Sequence, residues 1–449
     1  MSKTNVPSLK AAVDEAVVIK KVTRKLLPFI GLCYIVLYLD RTNIGVAALQ
    51  MNDELGISAS MFGFAAGVYF WSYTLSEPFS NYILTRVGTR KWITRIMITW
   101  GIVTIATAFV NGAPMLIVAR ILLGFAEAGF SPGMLFFVSR WFPAARRGVA
   151  MSWIVTFICL SGLLTPICTG ILTTFDGVAG MSGWRWLFIL TGIPAVVIGF
   201  IFYAIIRDRP ADAKFLTPAE RAWLQGEIDR EDAATPASTH GFAAGVRSGQ
   251  TWVLIGVFIC VTFSLNGLQL WFPQMLQALG APTAAIGWIA AVPSLIAIVP
   301  LILWNRHSDR TGERPLHFIA SASVAAVGFL IAGLAVNQPA IAIVGFCIAG
   351  VGLYSALAIF VTMPSTFLFG AALAAGFGMI NGLGNIGGYL GPQVTGWIKE
   401  ATGSFTPAVL VFGGAMALAA IVTAVLRAYG KRRGAAIPAS TEARQPVGS

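Results

Sequence analysis

Five charged side chains interrupt runs that are otherwise apolar: Asp40 and Arg41 in Tyr38-Leu-Asp-Arg-Thr-Asn43, Glu77 in Glu-Pro-Phe-Ser-Asn81, then Arg120 and Glu127. A lone charge at mid-bilayer costs about 2.5–3.5 kcal/mol on insertion scales, so such groups need partners or a water-filled path. Guanidinium is a rigid fork that holds a carboxylate through two hydrogen bonds, which suits Arg41 and Arg120 to a substrate carboxylate. Asp40 and Glu127 are the groups that can exchange a proton as the arginines beside them are occupied or released. Together they describe an exchange in which an anion and a proton travel in the same direction. The competing readings are that Arg41 leans to the outer face and that Arg120 and Glu127, seven apart on one helical face and about 10 Å apart in rise, form a structural ladder. Glu77, beside Pro78 in the inner third of its span, reads as a gate or packing group.

The elements that carry these residues follow from composition. The chain has 449 residues, 56% hydrophobic and 11% charged. Soluble proteins carry roughly 25% charged residues, so soluble, disordered, collagenous and disulfide-scaffold classes are excluded. Twelve runs meet the requirement of about 20 mostly apolar residues for a spanning helix: 26–49, 59–84, 92–111, 114–139, 148–173, 186–206, 251–276, 284–304, 316–336, 340–361, 366–396 and 405–427. The fold class is an all-α membrane protein. Ser8 to Lys25 alternates apolar and charged residues at helical spacing and predicts a short helix on the membrane surface.

Of the 31 Lys and Arg, all but Arg41, Arg120, Arg185 and Lys399 fall on one side of this pattern. Basic loops face the cytoplasm, which places both termini there. The net charge of +12 is thereby explained by topology, and no nucleic-acid partner is indicated. A repeated loop divides the chain into halves: Thr85-Arg-Val-Gly88-Thr-Arg90-Lys follows the second span, and Asp309-Arg310-Thr-Gly312-Glu-Arg314 follows the eighth. The expected organisation is a cytoplasmic segment 1–25, a six-helix bundle 26–206, a linker 207–250, a second bundle 251–427 and a tail 428–449. Six-helix repeats are a transporter architecture with a midplane site.

In the second half Asn266, Gln269, Asn381 and Asn385 are candidates to read hydroxyls or carboxylates of a substrate; interhelical hydrogen bonding is the alternative for each. The five Cys lie singly in apolar spans and read as packing residues. His240, His307 and His317 fall in or beside basic loops, so neither a metal nor a cofactor is expected. Gly124-Phe-Ala-Glu-Ala-Gly129 lies mid-membrane without a Lys and is not a nucleotide loop.

The repeated basic loop resembles the signature of the major facilitator superfamily. Longer segments resemble its anion:cation symporter branch: Tyr38 to Gly45, Gly124 to Gly133 with Trp141-Phe-Pro143, Gly183 to Pro194, Asp208 to Glu220, and Gly384 to Pro392. The resemblance implies two six-helix halves and import of tartrate, sugar acids, phthalate, hydroxyphenylacetate or similar anions with protons. In sugar-acid carriers of this branch, positions matching Asp40, Arg41 and Glu127 are used in coupling, and Tyr38 and Tyr73 match cavity-lining positions. Gly88, Arg90, Asp309, Arg310 and Gly312 fall in the loops that act as conformational latches. The chain departs from the family pattern at Thr85, where the loop has Asp, and at Val361, where many relatives have Trp. The expectation is a monomeric carboxylate–proton symporter of a bacterial plasma membrane, its substrate a hydroxy acid such as tartrate or a sugar acid. An aromatic carboxylate, uniport or exchange, and a non-transporting sensor are the alternatives.

Overall fold

The computed structural model describes residues 13–234, 247–335, 337–368 and 370–435. His240 with the rest of 235–246 in the middle of the linker, Lys3, Lys10, and the end of the tail with Arg444 lie outside the described residues. The helices of the first half are α1 (Glu15–Glu54), α2 (Ala59–Val87), α3 (Thr89–Thr107), α4 (Ala113–Glu127), α5 (Phe130–Trp141), α6 (Arg147–Leu160), α7 (Leu164–Thr174) and α8 (Gly183–Ile205). The linker carries α9 (Pro218–Ala234). The second half comprises α10 (Gly249–Ala278), α11 (Thr283–Thr311), α12 (Arg314–Leu334), α13 (Pro339–Thr362), α14 (Pro364–Phe367), α15 (Gly370–Gly384), α16 (Ile386–Thr402) and α17 (Thr406–Ala435). Among the described residues, eight helical segments are long and apolar enough to span a membrane, α4 and α5 counting together as one. The other four of the twelve spans are α2, rich in Gly, Ser and Tyr, α3, which carries Arg90, Lys91 and Arg95, and the broken pairs α6–α7 and α15–α16.

Three spans expected as single helices are interrupted. The break between α4 and α5 leaves Ala128 extended and Gly129 left-handed, at φ 89°. Glycine tolerates that conformation, and a Cβ there would run into Ser80. The Ser80 hydroxyl donates to the freed Ala128 carbonyl at 2.6 Å. The break at Asn385 is served likewise: Thr262 on α10 donates to the Gly384 carbonyl at 2.6 Å. Polar side chains from neighbouring helices are what make irregular backbone tolerable at membrane depth. A 3₁₀ turn, 161–163, separates α6 from α7.

The surface helix expected before residue 26 is, from Glu15 onward, the start of α1. Its apolar face finds a protein partner rather than lipid: Val18 and Val22 are fully buried in one cluster with Trp223, Leu224 and Ile228 of α9. Ion pairs hem this contact, Lys21–Glu220 at 2.6 Å and Arg147–Glu231 at 2.8 Å.

The halves meet along α2–α16, α1–α10 and α7–α11. A Cβ on Gly45 would lie 2.6 Å from the Leu270 carbonyl oxygen, and one on Gly63 2.6 Å from that of Pro392. Glycine here lets backbones approach closely. Phe62 and Trp271 pack edge to face with centroids 5.1 Å apart, and the Trp271 indole donates to the Pro392 carbonyl at 3.0 Å. Glu400 accepts from the Ser58 hydroxyl at 2.9 Å and the Ser60 amide at 2.8 Å, so α16 caps the start of α2 across the interface. All these contacts lie at the end remote from the basic loops.

Candidate functional site

Four of the five charges expected inside the membrane converge in the first half. Asp40 and Glu127 are 1% and 0% exposed, Arg120 is 6% exposed, and the Arg41 side chain keeps 34%. Arg41 donates through Nη2 to the Tyr69 hydroxyl at 3.3 Å and to Glu127 Oε2 at 3.5 Å. The Tyr69 hydroxyl itself donates to the same Glu127 oxygen. Tyr38 and Tyr73 flank the guanidinium, with ring centroids 5.9 and 5.8 Å from its carbon. Aromatic faces at that range attract a cation.

Asp40 faces the bundle interior, away from Arg41. Its Oδ1 accepts from Thr104 of α3 at 2.5 Å and from Asn43 at 3.4 Å; Asn43 also donates to Thr191 of α8 at 3.0 Å. Asp40 and Glu127 are both buried in the first half, on different hydrogen-bond partners. Each has one oxygen supplied with donors and one, Oδ2 and Oε1 respectively, with none among the described residues. Arg41 is therefore the open member of the group, and Tyr69, Glu127 and Asp40 are buried.

Arg120 was expected beside Arg41 as a second substrate-facing cation. The structure buries it behind Tyr69, its guanidinium carbon 4.8 Å from that ring's centroid, so it does not reach open space. Its charge balances the buried carboxyls from within. Glu77 stands half-buried on α2 one turn beyond Tyr73, on the side of the basic loops, apart from the hydrogen-bonded cluster.

The second half contributes neutral groups. Gln269 is exposed and donates to the Tyr354 hydroxyl at 3.4 Å. Asn266 donates to the Thr262 carbonyl of its own helix at 2.8 Å. Asn381 is exposed, and Asn385 is the half-buried residue of the α15–α16 break. The loop residues are held within their own halves. Asp208 accepts from the Arg90 amide at 2.8 Å, and Arg90 Nε donates to the Tyr203 carbonyl at 2.7 Å. Gly88 and Gly312 end α2 and α11 at φ 92° and 69°, which favour glycine. Asp309 lies 4.0 Å from Arg314, on the loop that also carries Arg310.

Tyr69, Asn43, Thr104 and Thr191 belong to this site and were not singled out from sequence. Tyr69 had a signal, being one helical turn before Tyr73 on the same face. The others are ordinary polar types whose role exists only through partners on other helices.

Comparison with known proteins agrees with this architecture. The family model for the Major Facilitator Superfamily matches residues 30–368 and 254–449. The chain is 40% identical over 412 residues to the "Putative tartrate transporter" of Agrobacterium vitis, covering 92% of each protein. It is 34% identical to the "Quinolone resistance transporter" of Acinetobacter baumannii, covering 88% of this chain and 93% of that one. Among solved structures, a D-xylose–proton symporter superposes with a TM-score of 0.71 at 17% identity, covering 89% of this chain and 96% of that one.

Proposed function

The chain belongs to the major facilitator superfamily, and on that premise we propose that it imports an organic carboxylate with protons by alternating access. It is a multi-pass membrane transporter, as its relatives are. The substrate in this reading is a hydroxy acid such as tartrate, or a sugar acid. The protein acts as a monomer in a bacterial plasma membrane with both termini in the cytoplasm. The name of the Agrobacterium relative supports the substrate class.

One observation carries the reading. Arg41 sits deep in the membrane, partly open, and spends its guanidinium on an internal carboxylate. An arriving substrate carboxylate competes with Glu127 for that guanidinium. Glu127, deprived of its cation in a buried site, is then stabilised by taking up a proton, because an unpaired buried charge is strongly penalised. A proton taken up at Glu127 also turns one of its oxygens, Oε1 having no donor, into a hydroxyl that needs none. Substrate and proton therefore load together. When the substrate leaves, Glu127 returns to Arg41 and the proton departs, which gives transport in one direction a fixed coupling sign.

Closure of the halves at the end remote from the basic loops supports an inward-open reading, with Arg41 reached from the cytoplasmic side. Gln269 and Tyr354 then face it from the second half as hydroxyl and carboxylate readers. The test is uptake of radiolabelled tartrate and a panel of sugar acids into proteoliposomes under an imposed pH gradient. Accumulation that follows the gradient is expected. Uptake indifferent to the gradient sinks proton symport, and a requirement for substrate on the opposite side replaces it with exchange. The name of the Acinetobacter relative, a quinolone resistance transporter, makes a quinolone the second substrate to test in the same vesicles.

A further inference from the structure

On the basic side of the first half, a cleft of about 350 Å³ lies between the start of α1 and the end of α8. Three cations border it: Lys25 on α1, Arg207 just after α8, and Lys214 in the linker. None of the three has an acidic partner among the described residues. Elsewhere on this face the cations are commonly paired: Lys21 with Glu220, Arg146 with Glu15, Arg147 with Glu231, Arg427 with Glu313. Among the described residues no acid lines the cleft, so its lining carries net positive charge.

The rest of the lining is apolar and rigid. Trp141 and Phe215 stack with centroids 5.9 Å apart at 14°. The Trp141 indole donates to the Arg207 carbonyl at 3.1 Å. Arg207 Nη1 is held by the Ala204 and Ile206 carbonyls at 3.0 and 2.9 Å, which orients the guanidinium and caps the end of α8. Ile205 lines the cleft and is itself exposed, as are Ile201 and Tyr203 beside it, so the cleft is continuous with the lipid-facing surface of α8.

We propose that this cleft binds the phosphate of an anionic phospholipid in the leaflet on the basic side. Lys25, Arg207 and Lys214 neutralise the headgroup, and Ile205 and the aromatic floor meet its glycerol and upper acyl region. Basic pockets between spanning helices on this side suit anionic headgroups. A soluble phosphate ester shares the charge chemistry but makes no use of the apolar floor or its continuity with the lipid face. Bound there, the lipid would tie α1, α8 and the linker together.

Native mass spectrometry of the full-length protein, released from micelles carrying phosphatidylglycerol, phosphatidylcholine or soluble glycerol phosphate, tests this. A retained phosphatidylglycerol adduct is expected, weakened about tenfold or more in Lys25→Gln/Lys214→Gln, since each basic residue near the surface contributes on the order of a factor of five. A control of equal charge loss, Lys20→Gln/Arg306→Gln, is expected to keep the adduct. Melting temperature in phosphatidylcholine micelles checks that all variants are folded. Equal retention by the cleft variant and the control overturns the site. Equal retention of glycerol phosphate overturns the lipid as its occupant, and equal retention of phosphatidylcholine overturns the role of headgroup charge.

Discussion

The two halves share one architecture and divide the chemistry unequally. The first half holds Asp40, Arg41, Glu77, Arg120 and Glu127 within its spans. The second half carries neutral polar groups within its spans, among them Gln269, Tyr354, Asn381 and Asn385. This asymmetry has a physical use. A charged cluster contained within one rigid body need not be broken when the other body moves, and charge separation in a low dielectric is a costly step for a moving interface. The neutral half can withdraw from a substrate at the cost of ordinary hydrogen bonds.

The strongest way to break this comparison is to remove the charge that faces the neutral half. Arg41→Ala is expected to lower saturable uptake by about 100-fold or more, because truncating one partner of a buried charge pair costs roughly 2–5 kcal/mol. Arg41→Lys is expected to rescue little, since the fork geometry is lost. Normal uptake by Arg41→Ala would move the site elsewhere. Glu127→Gln comes next. It keeps the shape and a hydrogen-bond acceptor but removes the exchangeable proton, so substrate binding persists while accumulation stops following the pH gradient. Retained gradient-driven accumulation in this variant would exclude Glu127 as the coupling group.

The remaining contrasts lie at the interface. Glu400 is the second half's charged contribution, and it acts at the outer rim by capping α2 through Ser58 and Ser60. Glu400→Ala removes a cap contribution of about 1 kcal/mol, which populates the outward-open form roughly fivefold more. Labelling of a cysteine introduced at the outer end of α2 reads this shift; unchanged labelling would make the cap incidental. Gln269→Ala is expected to raise KM about two- to fivefold with kcat little changed, the loss of one neutral hydrogen bond. A loss as large as that of Arg41→Ala would overturn the division of labour between the halves.

Much of this was legible in sequence because a bilayer makes misplacement expensive. Apolar runs of spanning length marked all twelve spans, and the five charges inside them stood out for the same reason. The breaks after Glu127 and at Asn385 were not legible. Each depends on a hydroxyl from another helix, Ser80 or Thr262, taking up a freed carbonyl, and a serine in a span has no sequence pattern that announces such a partner. The burial of Arg120 escaped for a related reason: helical spacing places it on the face of Glu127, but only the ring of Tyr69 decides which of the two arginines is covered. The segment before residue 26 looked like a membrane-surface helix because its apolar face was real. Part of the cluster that buries that face, Trp223, Leu224 and Ile228 of α9, lies some 200 residues later in the chain.

That contact supplies the smallest and most local test of how the halves differ. The linker is tied to the first half alone through the described ion pairs of α9: Glu220 with Lys21 on α1, Glu231 with Arg147 on α6. The hydrogen bond from Lys21, with help from the Thr217 amide, holds the Glu220 carboxyl below its usual range. A depressed carboxyl stabilises the docked form at pH above its unfolded value, about 4.3, and that stabilisation is lost as pH falls through the lower folded value. Protection of α9 from hydrogen exchange should therefore be full at neutral pH and weaken below about pH 4, the range set by an ordinary carboxyl. The size of the change should be modest, about 1 kcal/mol or less, as Lys21 is partly exposed. Glu220→Gln should show the weakened protection at every pH while leaving uptake within about twofold, the range of an exposed pair's energy. If that variant instead abolished uptake, the linker would have to be counted as part of the moving machinery rather than as ballast carried by the charged half.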